Sequence, residues 1–238
     1  HKVEIFEKNS RLGGQWVLAA IPPTKEELGS FTVWQVNQLN KLGVIVHLNT
    51  ELTLDMIRDN QPDSVIIATG ASPFVPNIPG KELGHVLTAN DILQGSAQAG
   101  KRVVVIGGGL VGSETAAHLA NHGHDVSIIE MNRDIFVGTP SATKHYLMKD
   151  LQHHNVAILT NTQVKEIHSD AVVVDNDGQF QTLAAIDNVV MAIGSRPVSF
   201  SVEELEQHVT EIVTIGDAQK VRKAMEAVEE GYLAGLTL

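Results

Sequence analysis

The stretch KRVVVIGGGLVGSETAAHLANHG, residues 101–123, joins an apolar run to three spaced glycines and a segment suited to a helix. Gly107, Gly109 and Gly112 form the pattern G-x-G-x-x-G directly after the apolar residues. In such a unit the first glycine permits a tight turn, the second lets a pyrophosphate approach the backbone, and the third allows close helix–strand packing. The stretch therefore predicts a dinucleotide-binding loop between a strand and a helix, with a glycine-rich structural turn as the alternative.

An acidic residue in the expected place supports the dinucleotide interpretation. Glu130 ends the next apolar strand, about twenty residues after the loop, where the 2′-hydroxyl of a ribose would be bound. A carboxylate at this position repels the 2′-phosphate of NADPH, so Glu130 favours NADH. Arg133 lies close by in the sequence and leaves NADPH possible.

The chain contains an internal repeat, because three phrases return in the same order. The first copies lie at residues 1–9, 43–52 and 62–73, and the second copies at residues 124–132, 155–164 and 186–197. The spacing between copies is too long for a solenoid, so the repeat indicates two related domains.

The two copies differ at their start. Residues 101–123 precede the second copy, whereas nothing in the sequence precedes His1. We therefore expect the first domain to lack its opening strand, glycine loop and helix, and the chain to be a fragment of a longer polypeptide. Glu7, the counterpart of Glu130, is expected to bind the ribose of a second nucleotide, with a solvated strand end as the alternative.

The composition limits the possible function classes. A formal net charge of -11 without any Lys and Arg cluster argues against nucleic acid or an anionic membrane as a partner. The chain contains no cysteine, which excludes disulfides, thiolate-held iron–sulfur clusters and redox-active dithiols within it. No apolar run is long enough to span a membrane, and the absence of a signal segment leads us to expect a cytoplasmic protein.

Local signals predict several further features. Thr24 and Glu27 form a capping-box pattern ahead of a helix expected over residues 25–42. The pair at 177–178, Asp-Gly between alternating apolar residues, predicts a hairpin. The histidines at 118 and 122 have a helical i, i+4 spacing that suits a metal, but no third ligand is indicated, and we predict polar helix surface and no metal site.

Several phrases resemble those of flavoproteins with two dinucleotide-binding domains. The phrases are E-x-x-x-R-x-G-G at residues 7–14, ATGASP at 68–73, AIGSRP at 192–197 and TIGDA at 214–218. More narrowly, LGGQWVLAAIPPTKEEL at residues 12–28 resembles the C-terminal half of the 2,4-dienoyl-CoA reductase, 2-enoate reductase and trimethylamine dehydrogenase group, relatives of Old Yellow Enzyme.

The resemblance, together with the alternation of strands and helices, implies an α/β fold with parallel sheets. We expect two related, doubly wound, Rossmann-like domains, with the NAD domain inserted in an FAD domain that lacks its first strand. The expected boundaries are residues 1–91 for the first part of the FAD domain, 92–205 for the NAD(P)-binding domain and 206–238 for the second part of the FAD domain.

The resemblance also implies roles for individual residues. Asp217 would bind the ribityl chain of FAD, with capping of the terminal helix as the alternative. Glu114 would be catalytic by facing the nicotinamide, with an exposed helical glutamate as the alternative. The other cofactor-binding residues that the matched phrases imply are Glu7, Arg11, Gly14, Gln15, Thr69, Gly70, Gly194 and Gly216.

In that group an N-terminal barrel carries FMN and an iron–sulfur cluster and reduces the substrate, while the resembling half takes hydride from a nicotinamide onto FAD. We therefore expect an NADH-dependent, FAD-linked electron-entry module. Its expected partners are nicotinamide and flavin nucleotides and a barrel domain of the same polypeptide. The alternative is a nucleotide-binding structural module, since trimethylamine dehydrogenase looks like a relative whose equivalent region is a scaffold. The missing cysteines exclude a disulfide reductase.

Overall fold

The computed structural model describes all 238 residues. The elements along residues 1–73 are β1 (Glu4–Glu7), α1 (Gly14–Ala19), α2 (Leu28–Lys41), β2 (Ile45–Leu48), α3 (Leu54–Asn60), β3 (Ser64–Ile67) and β4 (Ala71–Pro73). Those along residues 86–191 are β5 (Val86–Thr88), α4 (Ala89–Leu93), β6 (Arg102–Ile106), α5 (Leu110–Asn121), β7 (Asp125–Ile129), α6 (Ser141–His153), β8 (Ala157–Leu159), β9 (Thr162–Ile167), β10 (Ala171–Asn176), β11 (Gln179–Ala184) and β12 (Asn188–Met191). The last are β13 (Ser195–Pro197), α7 (Val202–Leu205), β14 (Glu211–Thr214), a 3-10 helix (Gly216–Ala218) and α8 (Ala224–Thr237).

The chain forms two compact units, and the second is inserted in the first. Unit 1 comprises His1–Val17, Glu27–Ser72 and Ser195–Leu238, and unit 2 comprises Leu18–Glu26 and Pro73–Gly194. The long segment of unit 2 thus begins where β4 ends and finishes immediately before β13. No helix in the structure combines the length and the apolar composition that a membrane span requires.

The two compact units do not begin and end at the expected domain boundaries, 91/92 and 205/206. Val86 packs against the core of unit 2 and belongs to β5, an edge strand of the unit 2 sheet, so the residues after Ser72 lie in unit 2. Leu205 packs with Ile57 and Ile67 in the core of unit 1, so the chain has already returned to unit 1 before residue 206. The assignment of the two units to FAD and NAD stays a prediction.

Unit 2 is built on a parallel sheet with the strand order β5-β12-β6-β7-β8. Its central strand β6 is apolar because elements cover both faces of the sheet, and Val103, Val104 and Val105 are at most 1% exposed. The strands β9, β10 and β11 form a separate antiparallel sheet. The β10–β11 turn lies at Asp177 and Gly178, both with positive φ, as the Asp-Gly pair predicted.

Unit 1 contains two separate parallel pairs, β1 with β2 and β14 with β3. The sequence repeat matches β1 to β7, β2 to β8 and β3 to β12. The central strand of unit 2, β6, has no counterpart among residues 1–238. Two apolar strand residues of unit 1 are open to solvent, with Ile45 at 41% and Ile66 at 42% exposed.

The helix expected over residues 25–42 begins later than predicted. It starts at Leu28, and its N-cap residue Glu27 forms no side-chain capping bond. Thr24 has a φ of +66°, a left-handed conformation, whereas a capping residue takes extended geometry. The predicted capping box is therefore wrong, and the residues before Leu28 form turns.

Candidate dinucleotide-binding sites

The glycine loop of unit 2 connects β6 to α5, and two of its glycines are required by close packing. Gly107 has a φ of +107°, and a Cβ atom there would lie 2.5 Å from the carbonyl oxygen of Ala192. A Cβ on Gly112 would lie 2.0 Å from the carbonyl oxygen of Gly107. No side chain fits at either position, so these two glycines keep the loop tight against the start of α5 and the end of β12.

Gly109 has a different environment. It is the N-cap residue of α5, with a φ of -67° and a ψ of -176°, a conformation that any residue adopts. A Cβ atom at Gly109 would meet nothing within 4 Å. The space beside this backbone is open, and the first N–H groups of a helix receive no side-chain cap here. These features fit the approach of a pyrophosphate to the helix N-terminus.

Glu130 is buried at the end of β7 and joins the two sides of this site. Its Oε2 accepts a hydrogen bond of 2.7 Å from the backbone N–H of Gly108. Its Oε1 accepts bonds of 2.8 and 2.6 Å from the backbone N–H and the Nδ2 of Asn132. A carboxylate has about four acceptor positions, so Glu130 retains capacity for a ribose hydroxyl. Arg133 is exposed.

Glu114, in the second turn of α5, is not the exposed glutamate that the alternative interpretation expected. It is 8% exposed, and its Oε1 forms an ion pair with Nζ of Lys25 within unit 2. Sequence reasoning missed this partner because 89 residues separate the two side chains and no local pattern connects them. The role of Glu114 at the nicotinamide stays a prediction.

We expect Lys25→Met to lower the stability of the chain by about 1–2 kcal/mol, because the substitution leaves the buried Glu114 carboxylate without its cation. Chemical denaturation of Lys25→Met, Glu114→Gln and the double variant measures the coupling between the two side chains. The double variant should be more stable than Lys25→Met alone. Equal stability of all three variants and the unmodified chain would rule out a contribution from the pair.

Unit 1 also has an acidic residue at the end of a strand, in the position that corresponds to Glu130 of unit 2. Glu7 ends β1, is half-buried, and accepts bonds of 2.8 and 2.6 Å at Oε1 from the backbone N–H and the Nδ2 of Asn9. Gly14 begins α1 with a φ of +48°, a left-handed conformation that favours glycine. Arg11 is exposed. The cofactor contacts expected of these residues stay predictions.

Three of the residues expected at the flavin lie together in unit 1. Nε2 of Gln15 donates a bond of 3.3 Å to Oδ2 of Asp217, and the Cβ position of Gly70 lies 3.5 Å from the same Nε2. Thr69 instead donates through Oγ1 to the carbonyl of Val198, at 2.6 Å. Asp217 does not cap the terminal helix, because the N-cap residue of α8 is Lys223. Gly194, in unit 2, has a φ of +95° and open space around its Cβ position.

The turn that carries Asp217 is held by two residues that sequence reasoning missed. The backbone N–H of Arg222 donates 2.9 Å to Oδ1 of Asp217. Glu230 of α8 accepts 2.7 Å from the backbone N–H of Gly216 and forms an ion pair with the Arg222 guanidinium. The Gly216 N–H and then the Arg222 side chain hold the pKa of Glu230 below its ordinary value of 4.5.

The depressed pKa of Glu230 predicts acid sensitivity of unit 1. Its carboxylate stabilises the fold above the unfolded-state pKa, and this contribution is lost as the pH falls through the lower folded-state pKa. Both tryptophans, Trp16 and Trp34, lie in unit 1, so their fluorescence during denaturation at several pH values reports its stability. Glu230→Gln should flatten the acid side of the profile, whereas the exposed neighbour Glu229→Gln should not. A Glu230→Gln profile identical to that of the unmodified chain would contradict the assignment.

The two helical histidines differ in environment, because His122 is exposed, as predicted for polar helix surface, whereas His118 is not. His118 is half-buried and lines a cavity of about 260 Å³ together with His122 and His124. Burial, and then the charges of these two neighbours, lowers the pKa of His118. The structure contains no group of three His, Cys, Asp or Glu side chains that could hold a metal ion.

The chain is similar to one protein-family model and to several named reductases and oxidases. A family model described as pyridine nucleotide-disulphide oxidoreductase matches residues 45–211. The chain is 36% identical to a bilirubin reductase of Mediterraneibacter gnavus, over 100% of this chain and 37% of that protein. It is 35% identical to an NADH oxidase of Thermoanaerobacter brockii, over 98% of this chain and 36% of that protein. A solved structure of 2-naphthoyl-CoA reductase matches with a TM-score of 0.92 and 30% identity, over 100% of this chain and 36% of that one.

Proposed function

The chain belongs to the pyridine nucleotide-disulphide oxidoreductase family, and on that premise we propose that it takes hydride from NADH onto FAD and passes the electrons onward. The observation that carries this proposal is the open space at Gly109, between two glycines that packing requires and beside the buried carboxylate of Glu130. Because the chain contains no cysteine, the electrons do not pass through a disulfide of its own. The flavin, when bound, would accept the hydride and then release its electrons for onward transfer.

The residues of the chain would bind and orient the nucleotides. In unit 2, the backbone at Gly109 and the start of α5 would hold the pyrophosphate of NADH, and Glu130 would accept a bond from the ribose. In unit 1, Glu7 and Asp217 would hold the ribose and the ribityl chain of FAD. Hydride transfer needs no acid, base or nucleophile from the protein. It is therefore sufficient that the residues proposed here bind the two nucleotides and hold them in position.

We further propose that this module works within a larger, cytoplasmic reductase. The chain spans little more than a third of the length of the relatives described above. A barrel with FMN and an iron–sulfur cluster, the partner that the family resemblance implies, would receive the electrons. An additional parallel strand between β1 and β3 would give unit 1 the same order as unit 2 and would cover exposed strand residues such as Ile66.

The added strand can be tested through flavin retention. We expect a longer polypeptide that contains an upstream strand, glycine loop and helix to retain FAD through purification, since these parts supply the missing phosphate site. The chain of residues 1–238 alone should bind FAD weakly. Tight, stoichiometric FAD on residues 1–238 would contradict this proposal.

We expect NADH to bind more tightly than NADPH, by about tenfold or more, because the Glu130 carboxylate repels a 2′-phosphate. Calorimetric titration of the chain with each nucleotide measures the difference without any need for flavin. Replacing Glu130 itself would be a poor test, since its carboxylate accepts three hydrogen bonds from Gly108 and Asn132. Equal affinities in the unmodified chain would remove the basis for the NADH preference.

A further inference from the structure

The acids of the two units, Glu7 and Glu130, share a detail of geometry. In each unit the residue two positions after the acid is an asparagine, Asn9 after Glu7 and Asn132 after Glu130. In each, the backbone N–H and the Nδ2 of the asparagine donate to the same carboxylate oxygen, at 2.8 and 2.6 Å. We call this arrangement the Glu-x-Asn clip.

The clip fixes how the carboxylate is turned. Two donors on Oε1 of Glu130 leave Oε2 directed to the glycine loop, where it accepts from Gly108. The backbone on either side is anchored separately, because Asn132 accepts 3.0 Å from the N–H of Asn161 and Glu130 accepts 3.0 Å from the N–H of Thr162. Loss of the Asn132 side chain therefore removes one of the three hydrogen bonds that hold the carboxylate, without releasing the strand end.

The exposure of Asn132 indicates that its side chain contributes little to folding stability. Asn132 lies on the surface, where a side-chain hydrogen bond contributes little to folding because water replaces it. Glu130, by contrast, is 8% exposed, and without the Asn132 amide its carboxylate would keep only the backbone N–H groups of Gly108 and Asn132 as donors. Because a hydrogen bond depends on geometry, a carboxylate that is already held in place accepts from the ribose hydroxyl at a lower entropic cost.

We infer that Asn132 is a positioning residue that sets the preference of unit 2 for an unphosphorylated adenosine ribose by holding the Glu130 carboxylate beside the glycine loop. This inference deepens the proposed function and rests on it. It assigns to Asn132 an effect on the ratio of two affinities, which a purely structural residue would not change. Asn9 holds Glu7 in the same way in unit 1.

The test is calorimetric binding of NADH and of NADPH to the 238-residue chain and to three variants. Asn132→Ala should weaken NADH binding about fivefold, the equivalent of one hydrogen bond, and should leave NADPH binding unchanged or stronger. Asn132→Ser, which restores a short donor, should recover part of the ratio. Asn121→Ala is the control, because this exposed asparagine at the other end of α5 also loses side-chain bonds, to Ala117 and Asp150.

Thermal unfolding of each variant shows whether the fold is unchanged. If the unmodified chain prefers NADH and Asn132→Ala keeps the same ratio of affinities, or weakens both nucleotides equally, the inference is wrong while the proposed function stands. If the unmodified chain binds neither nucleotide, the proposed function fails and the inference fails with it. A lower ratio in Asn132→Ala, with partial recovery in Asn132→Ser and no change in Asn121→Ala, supports the role of Asn132.

Discussion

Replacing Gly109 by valine is expected to abolish NADH binding while the chain stays folded. The φ of -67° at Gly109 suits any residue, and no atom lies within 4 Å of its Cβ position. The valine side chain would therefore enter open space without strain and occupy the place proposed for the pyrophosphate. We expect at least about a hundredfold loss of affinity, comparable with losing two hydrogen bonds to a charged group.

Calorimetric titration with NADH measures this loss, and circular dichroism checks the fold. Gly84→Val is the matched control, because Gly84 also lies in unit 2, has no left-handed φ, and has no atom within 4 Å of its Cβ position. The control should bind NADH like the unmodified chain. Unchanged binding by Gly109→Val would reduce the glycine pattern to a structural turn.

Valine at Gly112, three residues later, should instead lower the stability of the fold. Gly112→Val would place a Cβ atom 2.0 Å from the Gly107 carbonyl oxygen, a distance that forces the loop and α5 apart. We expect a loss of about 3 kcal/mol or more. For a unit of this size that corresponds to a fall of about 10 °C in Tm.

Differential scanning calorimetry of the two valine variants separates the packing glycine from the binding glycine. Gly109→Val should unfold near the temperature of the unmodified chain, and Gly112→Val should unfold well below it. If both variants unfold at the same temperature, the close approach of Gly112 to Gly107 does not determine stability.

The comparisons show that the chain belongs to an oxidoreductase family and confirm its predicted relationship to larger reductases. The sequence was sufficient for this because the features that carry it are local. The glycine loop lies within one strand–loop–helix stretch, and Glu130 follows one strand later. Because the repeat relates the two halves of the chain, the first unit could also be interpreted as a dinucleotide-binding domain.

The features that sequence reasoning missed depend on contacts between distant residues. Lys25 meets Glu114 across 89 residues, and Gln15 meets Asp217 across 202 residues. The prediction that α2 begins at residue 25 also rested on a local pattern, the capping box, whereas α2 begins at Leu28. Thr24 adopts a left-handed conformation, and the adjacent Lys25 forms its ion pair within unit 2.

The predicted domain boundaries differ from the bounds of the compact units for a related reason. The predicted boundary placed residues up to 91 in the first domain, yet Ile78 packs against the core of unit 2. Residues near 205 look like the end of the inserted domain, but Leu205 is fully buried in the core of unit 1. Only tertiary packing decides to which core such short segments belong.

Electron entry from NADH is tested most directly by the visible absorption spectrum of the flavin-loaded, full-length polypeptide before and after anaerobic addition of NADH. We predict that stoichiometric NADH bleaches the flavin band, and that Gly109→Val retains the flavin band but is not bleached. A flavin band that NADH leaves unchanged in the unmodified protein would contradict electron entry through this chain and would favour a structural module.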